Sequence, residues 1–195
     1  MLALHDRLLF TPILSLQTGA PLARTKQPII DPRELKIVAF YCEGPHVTEP
    51  AVLHTDDIRE LSGMGIIVDD ADSIMAPDQL VRLQEVIDFH FELIGKQIID
   101  TRKRKLGKVE DYSVDLDSFY IIKIKVRQSL FKNFMGANLL IDRTQIVEIN
   151  DKHIVVNANE VNAPTKKPAG AQPIIENPFR SHPQPGPNTI ESNRN

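Results

Sequence analysis

The chain is written twice, and that repeat limits what it can fold into. Residues 22–40 align with residues 106–124 at a constant shift of 84. The shift places Ile30 on Val114, Asp31 on Asp115, Leu35 on Phe119, Ile37 on Ile121 and Val38 on Ile122. A second block, residues 52–68, aligns with residues 140–156 at a shift of 88, placing Ile58 on Ile146, Ile66 on Ile154 and Val68 on Val156. The four-residue change falls between the blocks, in residues 42–50 of one copy and 127–136 of the other, where a loop absorbs it. A unit of about 70 residues is too long for a solenoid repeat and suits a small domain. Two domains of one design are expected.

The pattern inside each copy is that of short strands. Residues 120–126 read YIIKIKV, with Ile122, Ile124 and Val126 on one face and Lys123 and Lys125 on the other. That period of two marks a half-buried strand. Asn150 and Asp151 form an expected hairpin turn between strands at 146–149 and 153–156, and residues 62–65 form its counterpart. Several short strands at close spacing point to a small barrel or sandwich. Between the copies, Pro77 and Asp78 suit a first helical turn. Leu80, Leu83, Val86 and Ile87 then share one helical face, so a helix is expected from 77 to about 87. Strand pattern resumes at Phe89, Phe91 and Leu93.

Seven of the 14 prolines lie in the last 32 residues. Small and polar residues dominate there, and Ile174, Ile175, Phe179 and Ile190 are the large apolar ones. Such a segment does not recover its ordering entropy, so a disordered, partly polyproline tail is expected. It is either a plain solvated extension or the carrier of a short docking motif at Ile174, Ile175 and Phe179. The tail is +2, which leaves −5 on the remaining residues of a chain whose net charge is −3. That balance argues against nucleic acid as the main partner of the folded part. One Cys excludes an internal disulfide framework. No apolar run reaches the roughly 20 residues of a membrane span, and residues 1–16 do not read as a signal peptide. A cytoplasmic protein is expected.

Residues 93–126 (LIGKQIIDTRKRKLGKVEDYSVDLDSFYIIKIKV) resemble the opening of a PRC-barrel domain. The matching positions are Gly95, Asp100, Gly107-Lys108-Val109 and an Asp at 111 or 115. The late blocks, at Asp57-Ile58 and Gln145-Ile146, are similar to the closing strands of that family. The family includes the cytoplasmic domain of the photosynthetic reaction-centre H subunit and the C-terminal domain of a ribosome maturation factor. The chain departs from the pattern at Ala23, where Gly is usual, and in the basic turn 102–105. The resemblance implies a mainly β fold of two tandem small barrels: residues 8–76, a linking helix at 77–92, residues 93–158, and a disordered tail at 159–195. Asp31 and Asp115 are expected to accept backbone N–H bonds in turns.

Catalytic constellations are not found. The pairs Asp56-Asp57 and Asp69-Asp70 sit beside turns, and neighbours on a strand point to opposite faces, so they make poor acid–base couples. Cys42 has no basic neighbour in sequence to lower its pKa. Asp88, His90 and Glu92 would share one face of a strand, and are read as a solvated face before a metal set. No enzyme activity, cofactor or metal is expected. Two features are candidate partner contacts. One is the run Arg102, Lys103, Arg104 and Lys105, either a solvated turn or a contact for RNA or an acidic protein. The other is the loop bearing Phe131 and Phe134, which either caps a barrel end or meets a partner. The expected function is a non-catalytic protein-interaction or scaffold module. The alternative is an accessory factor in RNA processing or ribosome assembly that contacts RNA or a ribosomal protein.

Overall fold

A computed structural model of the chain describes residues 1–45, 47–127, 139–150 and 152–157. All of them lie within Met1–Ala163, one compact unit. The expected tail lies outside the described residues, as do Phe131 and Phe134. The fold is mainly β with one α-helix. The strands are β1 (Leu2–Leu4), β2 (Pro12–Ser15), β3 (Pro21–Asp31), β4 (Lys36–Glu43), β5 (Ala51–His54), β6 (Ile58–Ser62), β7 (Gly65–Val68), β8 (Ile74–Met75), β9 (Gln97–Asp100), β10 (Lys105–Asp115), β11 (Ile121–Arg127), β12 (Leu139–Asp142), β13 (Ile146–Ile149) and β14 (His153–Val156).

Two sheets result. The first runs β6-β7-β2-β3-β4-β5-β8, and the second runs β12-β11-β10-β9-β14-β13 with β1 added on β10. Six strands of each follow the same path. The long strands β3 and β10 are both 11 residues and start 84 apart. Each sheet has one parallel pair, between its second and third strands counted from one end, with Ile13 opposite Ile66 in β2–β7 and Ile98 opposite Ile154 in β9–β14. Both sheets are open paths among the described residues, so the pairing gives two sheets and not two closed barrels.

Bulges correct the simple alternation in β11. The register slips between Ser113 and Val114, so Val114 faces Ile121, and Ile122 is passed over. Ile121, Ile124 and Val126 are the buried side chains, and Ile122 is only half-buried. The first sheet slips at the equivalent place, between Ile29 and Ile30, which buries Ile37, Ala39 and Phe40. A bulge adds one residue to one strand and turns the following side chain to the other face.

The helix α1 (Val81–Asp88) follows a separate 3-10 turn at Pro77–Gln79. One helix starting at Pro77 was expected. Leu80, at φ −114° and ψ 78°, breaks the helical path between the two turns. The expected face is the packed one: Leu83 and Val86 are buried against Ile29, Ala39 and Val52, flanked by Leu80 and Ile87. The strand expected at residues 89–93 does not form. His90 adopts a left-handed φ of 46°, and the chain turns until β9 begins at Gln97.

The two halves share a core. One cluster joins Ile30, Leu35, Ile37 and Phe40 of the first half to Val114, Phe119, Ile121 and Ile124 of the second. At its centre the contact is reciprocal. The Ile37 N–H donates to the Phe119 carbonyl at 2.9 Å, and the Ile121 N–H donates to the Leu35 carbonyl at 3.0 Å. The two donors, Ile37 and Ile121, are 84 apart, as are the two acceptors, Leu35 and Phe119, and the bridged pair Lys36 and Tyr120. Leu35 and Phe119 both have left-handed φ, 49° and 59°. Segments are also exchanged. The residues ahead of the first copy reach the second sheet: Leu2, Ala3 and Leu4 pair with Asp115, Val114 and Ser113, and Leu8 enters the shared core. The residues ahead of the second copy form α1, which covers the first sheet. A boundary at residue 8 therefore leaves out a strand that the second sheet uses.

Candidate partner-binding surface

The basic turn joins β9 to β10 and divides into two parts. Asp100, at the end of β9, has no exposed surface. It accepts the N–H groups of Arg102 (2.9 Å) and Arg104 (2.8 Å) and the Arg104 Nε at 2.5 Å. Burial pushes the Asp100 carboxyl up, but the Arg104 N–H and guanidinium and the Arg102 N–H outweigh it and hold the pKa below the usual range. Arg104 thus closes the turn. Arg102, Lys103 and Lys105 are exposed, with Lys103 in the left-handed region at φ 62°. Their side chains have no ion-pair partner among the described residues.

The other shifted ionisable groups also serve the fold. Asp31 accepts the Arg33 N–H at 2.9 Å and pairs with its guanidinium at 2.8 Å. Asp115 accepts the Ser118 hydroxyl at 2.6 Å and the Met1 ammonium at 3.0 Å. Asp69 pairs with Arg59 at 2.6 Å. Each carboxyl lies below its ordinary value. Cys42 is buried, and burial pushes its thiol up to about 12. His90 does not share a strand face with Asp88 and Glu92; its Nδ1 lies 2.8 Å from the Asp88 carbonyl.

Phe10 is a site that sequence reasoning missed. It has a left-handed φ of 55° and is 59% exposed. Its counterpart in the second half is Gly95, φ 80°. Phe10 N–H donates to the Thr25 carbonyl at 2.9 Å, and Gly95 N–H donates to the Val109 carbonyl at 2.9 Å. A left-handed conformation costs an L-residue roughly 1–2 kcal/mol that Gly avoids. Arg24 lies over the Phe10 ring at 5.6 Å and is itself held by Glu43 at 2.8 Å. Phe10 and Pro12 line two clefts, of about 710 Å³ and 610 Å³. The second also exposes Met1, Leu2, Leu4 and Met64. The signal was present in sequence at a shift of 85, which aligns Leu8 with Leu93 and Ile13 with Ile98. The β2–β3 connection is one residue longer than its counterpart and conceals that alignment behind the shift of 84.

A larger cleft, of about 1060 Å³, lies beside α1 on the first half. Leu22, Tyr41, Ile74, Met75 and Ile87 give it apolar walls. Glu49, Asp72 and Asp78 are its carboxylate lining residues among those described. β8 ends the first sheet at this cleft, pairing with β5 through Val52–Met75 and Leu53–Ile74.

Among the described residues, no helix is long and apolar enough to cross a membrane. No curated protein matches the chain. Residues 85–162 match the model of the PRC-barrel domain, a segment that begins inside α1 and carries all of β9 to β14. Gly95, Asp100 and the Gly107-Lys108-Val109 run all fall in it, and a Cβ on Gly107 would lie 2.3 Å from the Arg127 carbonyl oxygen. Residues 85–162, the second half of the fold, are thus a PRC-barrel domain by this match.

Proposed function

We propose that the chain is a non-catalytic, cytoplasmic interaction module made of two PRC-barrel domains in tandem, the first sheet being a diverged copy of the second. The tandem reading is supported by the common strand order and by the shifts of 84 and 88 in both sequence and strand bounds. The non-catalytic reading is supported by the duties of the shifted carboxylates, which close turns and pair with cations of the fold.

Phe10 carries the binding reading. A large aromatic held mostly exposed in a backbone conformation that favours Gly, and not buried in any core cluster, is a local cost, and such outliers cluster at functional sites. Flanking clefts give it the setting of an anchor residue. The test is a nuclease-treated pull-down from lysate of the source cell, with the full chain and its Phe10→Gly variant as baits. A protein retained by the wild type and lost from the variant, at unchanged circular dichroism, supports the reading. Equal recovery by both baits overturns it.

The exposed Arg102, Lys103 and Lys105 favour a second reading, an accessory factor in RNA processing or ribosome assembly. It requires that the Arg102→Ala/Lys103→Ala/Lys105→Ala variant lose an RNA mobility shift that the wild type shows.

A further inference from the structure

We infer that the cleft beside α1 binds an extended peptide segment that alternates apolar and Lys or Arg residues. The inference rests on the interaction reading above and names the partner class of a second surface on the same half of the molecule. Three observations carry it.

The first is chemistry. Ile74, Met75, Ile87 and Tyr41 offer apolar contact, and no Lys or Arg lines the cleft among the described residues. The second is charge. Asp72 and Asp78 are exposed at the cleft and have no ion-pair partner among the described residues. Glu49 also lines it and is met at 3.5 Å by Lys26 from outside. Two unpaired carboxylates beside an apolar floor select cations flanking an apolar side chain and repel an acidic segment. The third is the sheet edge. β8 is a two-residue strand with β5 on one side and no strand on the other among the described residues. An extended segment can add there by main-chain pairing, and its alternate side chains then face the cleft and the solvent.

The probe is a fluorescein-labelled peptide of alternating lysine and isoleucine, titrated against the full chain by fluorescence anisotropy. A matched peptide with glutamate in place of lysine is the control. The lysine peptide is expected to bind saturably and more weakly as salt rises. Asp72→Lys/Asp78→Lys is expected to lower its affinity at least about ten-fold. Glu60→Lys, a charge reversal of the same kind on exposed β6, is expected to leave it unchanged. Absence of saturable binding, equal binding of the glutamate peptide, or equal loss in Glu60→Lys would each overturn the inference. So would a chain that dimerises through this cleft, seen as a sedimentation change in Asp72→Lys/Asp78→Lys. Failure here with loss of capture in Phe10→Gly sinks the cleft alone and leaves the interaction reading standing.

Discussion

The reciprocal contact between the halves makes a quantitative prediction about Phe119. Its ring is 7% exposed and packs edge-on against Phe40, with ring centres 6.2 Å apart. Truncating a buried Phe to Ala costs about 3–5 kcal/mol through lost transfer energy and the cavity left behind. A chain of this size shifts its Tm by about 2–4 °C per kcal/mol, so Phe119→Ala should lower Tm by about 10 °C. The backbone adds a finer test. Phe119 sits at φ 59°, where any L side chain costs roughly 1–2 kcal/mol. Glycine escapes that cost but gains about 0.4–1 kcal/mol of unfolded-state entropy. Phe119→Gly should therefore be no worse than Phe119→Ala, and up to about 1 kcal/mol better. At Phe40, outside the left-handed region, the usual order should hold and Gly should be the worse of the two. Urea unfolding followed by far-ultraviolet circular dichroism and by tyrosine fluorescence measures both. Tyr41 reports on the first sheet, Tyr112 and Tyr120 on the second half, and the chain has no Trp to mask them. A shared core requires the two probes to report one coincident transition in all variants. Two separated transitions, with Phe119→Ala moving one of them, would refute the shared core. A loss under about 1 kcal/mol would refute the packing estimate.

Cys42 should resist a thiol reagent at neutral pH and react in full only in denaturant, since it is buried and its pKa lies at about 12. Arg104→Ala should lower Tm, whereas Arg102→Ala, Lys103→Ala and Lys105→Ala should leave it nearly unchanged, because only Arg104 reaches the Asp100 carboxylate with its side chain. Asp31, Asp115 and Asp142 all have folded pKa values below their unfolded values. Their contribution is complete well above the unfolded pKa and is lost as pH falls through the folded one, so stability should fall progressively below about pH 4. Leu8→Ala should cost about 2–5 kcal/mol, as a buried Leu does, although it stands at the very edge of the first copy, because it enters the shared core.

Much of the strand framework was legible because period-two patterning and turn chemistry act locally. The hairpin at residues 150–152 is one case: Ile146–Ile149 and His153–Val156 are strands, and the Asn150 side chain accepts the N–H groups of Lys152 (3.1 Å) and His153 (2.9 Å). Asp31 is another, with its carboxylate on the Arg33 N–H as a turn Asp should have. Tertiary effects were not legible. Strict alternation puts Ile122 in the core, but the bulge that substitutes Ile121 depends on pairing with β10. Nothing local shows that Leu2–Leu4 pairs with a strand more than 100 residues away. The basic run at Arg102–Lys105 was legible as a turn, but its division into a structural Arg104 and three cations without an ion-pair partner among the described residues required the position of Asp100. Phe10 was hidden by one inserted residue.

The two sheets differ most where the exchanged segments differ. On the first sheet, Ile29, Ala39 and Val52 are buried under α1. The corresponding positions in the second sheet, at the same shifts of 84 and 88, are Ser113, Lys123 and Leu140. No helix covers them among the described residues; β1 instead pairs alongside, with Leu4 opposite Ser113. Ser113 and Lys123 are half-buried and Leu140 is exposed. A face that keeps water must give up its large apolar side chains, and a face that takes a helix must keep them. The inner faces meet across the halves and so stay apolar in both copies: Ile30 and Val114, Ile37 and Ile121, Leu35 and Phe119. The two sheets are therefore alike on the shared inner face and unlike on the outer one, where α1 packs on the first sheet and no helix packs on the second among the described residues. At the strand starts, Phe10 stands where the second half has Gly95, and Ala23 where it has Gly107, differences that leave the core shared by the halves untouched.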